Sequence, residues 1–82
     1  MTRNYDDLPT TVCADTQNAA QTLLDDLASV PELAQMPAYR DLIEHLYLAT
    51  RAAATLATIL GDPETARANH KVADELVRAA NL

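Results

Sequence analysis

The sequence predicts an all-α protein: a small antiparallel bundle of three main helices with a short connector helix, four helices in all. Three observations carry this. The chain has one glycine in 82 residues, it is rich in Ala, Leu, Asp, Glu and Arg with few β-branched runs, and residues 37–60 (PAYRDLIEHLYLATRAAATLATIL) form one long segment that is apolar on almost every side.

The first ten residues are charged, lack any period and end in Leu8-Pro9, so they read as a flexible N-terminal arm ahead of a single helical domain over residues 11–82. Thr10 or Thr11 can cap the first helix by offering a side-chain oxygen to an unpaired early N–H. That helix is expected to run to about Ala28, with Val12, Ala19, Ala20, Leu23, Leu24 and Leu27 as its apolar face and Asp15, Thr22 and Asp26 along one edge. Ser29-Val30-Pro31-Glu32 has the spacing of a capping box. It opens a short connector over residues 30–36, which Pro37 ends because the residue before a proline is pushed out of the helical region.

In the central helix, Leu42, Leu46, Ala49, Ala53, Leu56, Ala57 and Leu60 recur at steps of three and four and are expected to form the core face. Ile43, Tyr47, Thr50 and Ala54 extend the apolar surface on one side, and Leu48, Ala52 and Ile59 on the other. Arg40, Glu44, Arg51, Thr55 and Thr58 share a narrow polar sector. Gly61 then stops the helix, Asp62 caps the next, and Pro63 takes its first position. So short a link makes the two helices antiparallel neighbours. The last helix reaches about Ala80, and Ala49, Ala53 and Ala57 are predicted to face Ala66, Ala73 and Ala80 at close approach.

Gly61-Asp62-Pro63, followed by Ala66 and Ala73, is similar to the turn and second helix of a tetratricopeptide repeat. Thr50, Ala53, Ala54 and Ala57 stand where that family prefers Trp, Leu, Gly and Tyr. The likeness covers about a third of the chain, and no second repeat is present to stack on it.

A chain of this size supports one modest core, and here the core is thin. There is no Trp or Phe, and much of the 49% hydrophobic content is Ala, which adds helix propensity more than buried area. Self-association is therefore expected. Residues 42–60 approach membrane-spanning length, but Arg51 near their middle, with Glu44 and His45, makes such a location costly. One cysteine cannot form an intramolecular disulfide, and MTRNYDDLPTT lacks the apolar region of a secretory signal, so a cytoplasmic protein is expected.

The net charge of −6 is uneven: residues 1–38 carry one basic and six acidic side chains, whereas residues 39–82 carry five and six. Direct nucleic-acid binding is disfavoured, because phosphate affinity comes from clustered Lys and Arg. His45 and His70 each have an aspartate one turn away, Asp41 and Asp74, but a hairpin turning at residues 61–62 sets the two histidines about 12 Å apart along the axis, too far to share an ion. Cys13 falls in the first turn of the first helix, where the dipole lowers a thiol pKa, yet no base lies near it in sequence; it reads as a small buried hydrophobe. No phosphate loop, carboxylate pair or triad is present, so no catalytic residue, metal or cofactor is assigned and an enzyme is not expected.

What the sequence does offer is apolar surface in excess. Ile43, Tyr47, Leu48 and Ile59 of the central helix are expected to need a cover from outside, with Arg51 beside them and Tyr47 as the anchor. The function expected is a small acidic regulator or adaptor that acts by protein–protein interaction, as a homodimer or on a different protein. The alternative is an acidic inhibitor or nucleic-acid mimic of a host enzyme, of the kind a phage carries. It would present Asp15, Asp25 and Asp26, with Asp6 and Asp7 of the arm, to a basic groove.

Overall fold

The computed structural model describes residues 8–80, and every element in them is helical. Helix α1 spans Leu8–Ser29, a 3-10 turn Pro31–Gln35, helix α2 Pro37–Ile59 and helix α3 Pro63–Ala80, packed compactly. The expected arm lies, over residues 1–7, outside the described residues; residues 8–10, assigned to it from the sequence, belong to α1. The helix thus starts ahead of the predicted Thr10 or Thr11 cap.

The predicted capping box at Ser29 does not form. Ser29 closes α1, and the 3-10 turn begins after Val30 without a side-chain cap, its Pro31 in the first position where a missing N–H costs nothing. Leu33 N–H donates to Val30 O at 3.1 Å, and Met36 N–H to Leu33 O at 3.0 Å. Met36 has φ −76° and ψ 129°, the extended conformation that a following proline imposes, and so marks the boundary with α2. Leu33 and Ala34 of the turn pack, partly buried, against the core beneath them.

The link from α2 to α3 matches the sequence closely. Gly61 has φ +77°, a left-handed conformation that costs a side-chain-bearing residue about 1–2 kcal/mol. It lets Gly61 N–H reach Thr58 O at 3.1 Å and Asp62 N–H reach Ala57 O at 2.9 Å, the paired bonds that close a helix on two of its unpaired carbonyls. Asp62 serves both helices. Its carboxylate accepts from Thr65 N–H at 3.2 Å and from Thr65 Oγ1 at 2.6 Å, capping α3 while its own amide caps α2.

Two buried clusters lie between the helices. Cys13, Ala53, Ala57 and Ala66 meet near the α2–α3 link, and Ala20, Leu23, Leu27, Ile43, Val72, Leu76 and Ala80 meet toward the other end. The most extensive contact is α2 with α3, as small residues on both predict. Ala53, Ala54, Ala57, Ala66 and Ala73 are buried, but Ala49, predicted among them, is exposed.

The core face of α2 differs from the expected one. Ile43, Thr50, Ala53, Ala54 and Ala57 are buried, while Leu42, Leu56 and Leu60 of the predicted core face are exposed. The helix is rolled toward its small residues. Thr50 goes inside without penalty because its hydroxyl donates to Leu46 O and Tyr47 O at 2.8 and 3.0 Å, leaving its methyl to pack. The smallest dimension of the molecule is 18 Å, less than two helix diameters of about 10–12 Å, so every helix keeps an outward side.

Two measurements test the link. Gly61→Ala should destabilise by about 1–2 kcal/mol in denaturant unfolding, although nothing lies within 4 Å of the added methyl, because the cost is conformational. Asp62→Ala should lower the thermal midpoint at pH 7, and its deficit should shrink as acid is added. The Thr65 bonds hold the Asp62 carboxyl below the ordinary value of about 3.9, so its contribution is complete above that value and is lost as pH falls through the lower native one.

Candidate functional site

The residues expected at a partner interface do not share one surface. Ile43 is fully buried, at 0% exposure, in the cluster with Leu23, Leu27 and Leu76, which corrects its assignment to an uncovered face. Tyr47 is half-buried against the same cluster, so much of the ring expected as an anchor is already occupied. Arg51 turns back along its own helix. Its Nη1 donates to Tyr47 Oη at 3.1 Å while the guanidinium carbon stands 5.6 Å from the ring centroid, within cation–π range. Leu48 and Ile59 are exposed, at 64% and 76%.

Around Leu48, Ala52 and Ile59 the structure adds residues expected in the core. Leu42, Ala49, Leu56 and Leu60 are also exposed, and helical spacing puts them with Leu48, Ala52 and Ile59 on the outward side of α2. Thr55 borders them, and its hydroxyl is turned back to Arg51 O at 3.2 Å, so it shows a methyl rather than a donor. The result is one long apolar strip on the outside of a charged protein. The signal was in the sequence, since all seven residues were apolar and periodic, but periodicity alone does not say which of two adjoining faces turns inward.

The acidic side chains of α1 are exposed. Asp25 accepts from Gln21 Nε2 at 3.2 Å, and Asp15 and Asp26 face solvent. Asp6 and Asp7 lie outside the described residues. Asp15 and Asp26 are separated by three helical turns, about 16 Å at 1.5 Å per residue, so the carboxylates are sparse along the helix.

Where α3 begins, Thr58, Gly61, Pro63, Ala66, Arg67 and His70 line a groove of about 360 Å³. Its walls are mostly apolar, with the guanidinium of Arg67 and the imidazole of His70 as polar groups on α3. The adjacent helix N-terminus is already served by Asp62, which reduces what a bound anion would gain there.

Cys13 is the sixth residue of α1, not part of its first turn, so the dipole effect anticipated for it has faded. It is fully buried, and burial together with the negative charge of Asp62 pushes its thiol above the usual range, the reverse of nucleophile activation. Asn69, also fully buried, ties α3 to this point: its Nδ2 donates to Cys13 O at 3.2 Å and Thr65 O at 3.0 Å. Asn69 Oδ1 has no hydrogen-bond partner among the described residues. His45 and His70 are exposed, and His45 Nδ1 donates to Asp41 O at 2.6 Å, within its own helix. Among the described residues no three His, Cys, Asp or Glu side chains come together as a metal site, and no helix is long and apolar enough to cross a membrane.

Comparison with protein-family models, with curated proteins and with solved structures found no match for this chain.

Substitution at the buried polar contact should separate its two effects. Asn69→Ala leaves a cavity and removes the bond to Cys13 O, a loss of about 1–3 kcal/mol. Asn69→Leu fills the space and also removes the unpaired oxygen, so chemical denaturation should show a smaller loss for it than for the alanine. Alkylation of native protein should leave Cys13 unmodified over times that label it fully in denaturant; rapid native labelling would contradict its burial.

Proposed function

We propose that this chain is a small acidic antiparallel helical bundle that acts by binding another protein, as a regulator or adaptor, through the outward face of α2, and that it is not an enzyme. The observation that carries the reading is the apolar strip that includes Leu42, Leu48, Leu56, Ile59 and Leu60, all exposed on one helix of a chain with net charge −6. Contiguous apolar surface of this kind is costly in water, and protein interfaces are a common reason for it. Compared with the sequence-based expectation, the interface moves. Ile43 leaves it, Tyr47 and Arg51 stand at an edge paired with each other, and Leu48 and Ile59 remain at its centre of exposure.

The rival reading, an acidic inhibitor that occupies a basic groove, draws on Asp15, Asp25 and Asp26 of α1. Their wide spacing matches a solvated face better than a row of phosphates. The two readings depend on different residues. Tagged protein incubated with an extract of its source cell should capture binding proteins that are lost with a Leu48→Lys, Ile59→Lys variant and kept with an Asp15→Asn, Asp25→Asn, Asp26→Asn variant. Capture should persist in 0.5 M salt, where charge attraction is screened over a few ångströms (roughly 3–5 Å). The reverse pattern, with loss in salt and in the asparagine variant, would overturn the apolar interface in favour of the acidic one.

A further inference from the structure

The groove at the α2–α3 link owes its volume to small side chains. Gly61 has none, Ala66 is a buried methyl and Pro63 offers only ring carbons, so the end of α2 and the first two turns of α3 leave about 360 Å³ between them. Thr58 adds a methyl, because its hydroxyl donates to Ala54 O at 2.9 Å. Of the six lining residues, Arg67 and His70 alone carry nitrogen-bearing side chains, and none carries a carboxylate. Neither Arg67 nor His70 has a hydrogen bond or ion pair among the described residues. Three residues apart on one helix, they are neighbours on its surface.

We propose that this groove binds a small amphipathic carboxylate, its head group on Arg67 and His70 and its apolar body lying toward Thr58, Gly61 and Pro63. The site is separate from the outward strip of α2 and does not depend on it. Charge sets the head group. A guanidinium presents a planar fork of donors that matches two carboxylate oxygens, and a neutral imidazole adds one N–H. The chain as a whole carries −6, so an anion gains nothing from the wider field and must be held by this pair locally. Exposure sets the rest of the ligand. Both side chains are exposed, and an exposed charge pair alone contributes little, which leaves a bare inorganic anion weakly held. A body that displaces water from Pro63, Ala66 and the Thr58 methyl supplies the larger share. Size follows from spacing. Pro63 and His70 lie seven residues apart, about 10 Å along the α3 axis, and 360 Å³ is at the small end of ligand pockets. A single ring on a short chain fits that span. The first amides of α3 are not required, since Asp62 already caps that end.

Titration of the unmodified chain with 3-phenylpropionate, followed by backbone amide NMR at neutral pH, tests the site without any variant. The carboxylate should give saturable shifts at Gly61, Ala66, Arg67 and His70, with a Kd at least about tenfold below those of its uncharged amide and of inorganic phosphate. An amide that binds as well as the acid would overturn the role of Arg67 and His70, and phosphate that binds as well would overturn the apolar half. Shifts absent up to about 10 mM, or centred on Leu48 and Ile59, would overturn the site itself. Variants at exposed positions then locate each half. Arg67→Gln should weaken binding about tenfold, and Thr58→Phe, which fills the groove from α2, should abolish it, with the rest of the spectrum unchanged. The Leu48→Lys, Ile59→Lys variant should bind the probe as the unmodified chain does, so failure of the protein-binding face and failure of this groove are read separately. An Arg67→Gln chain with unaltered affinity would overturn the assignment.

Discussion

The direction of α3, and with it the inward face of α2, depends on the conformation of Gly61. With φ at +77°, the chain turns so that Asp62 N–H closes on Ala57 O, and α3 must leave α2 from the side that carries residues 54, 57 and 58. A side defined by Ala54, Ala57 and, further back, Thr50 and Ile43 turns toward α3, and the leucine-rich side next to it turns away. Asp62 makes the choice firm, since one residue completes the end of α2 with its amide and the start of α3 with its carboxylate. Little of the link remains that could adopt another direction.

The roll of α2 has a packing logic. Three helices brought close by alanines exclude more water from the backbone and from Thr50 than three helices held apart by leucines, and dispersion contacts fall off steeply once a gap opens. Cys13, Ala53, Ala57 and Ala66 fill the end near the α2–α3 link, and Ile43, Leu23, Leu27 and Leu76 fill the other. The leucines displaced outward are then free to meet something else.

The elements of this fold were legible in the sequence, and so were the turn at Gly61-Asp62-Pro63 and the closeness of α2 and α3. These are governed by local chemistry: a residue without a side chain, a capping carboxylate, a proline that ends a helix. The start of α1 was misjudged because Thr10 and Thr11 are good caps on paper, yet the helix takes in Leu8 and Pro9 before them. Ser29 and Glu32 had the right spacing for a capping box, but only where a full α-helix comes next; a five-residue 3-10 turn does not supply the same amide geometry. The face of α2 was missed for a different reason. On a helix that is apolar almost all round, hydrophobic periodicity is ambiguous by a fraction of a turn, and only the α3 connection resolves it. That is why Ile43 was assigned to the surface and Leu56 to the interior, while Leu48 and Ile59, at the far side of either choice, were placed correctly as exposed.

The alanine-lined interior also has a thermal consequence. The heat-capacity change of unfolding scales with the apolar surface newly exposed to water, about 12–15 cal/mol/K per residue in ordinary domains. A core with no Phe or Trp, in which alanines outnumber every other buried residue type, releases less such surface. The stability of this chain should therefore vary with temperature along a shallow curve, changing little between cold and warm conditions.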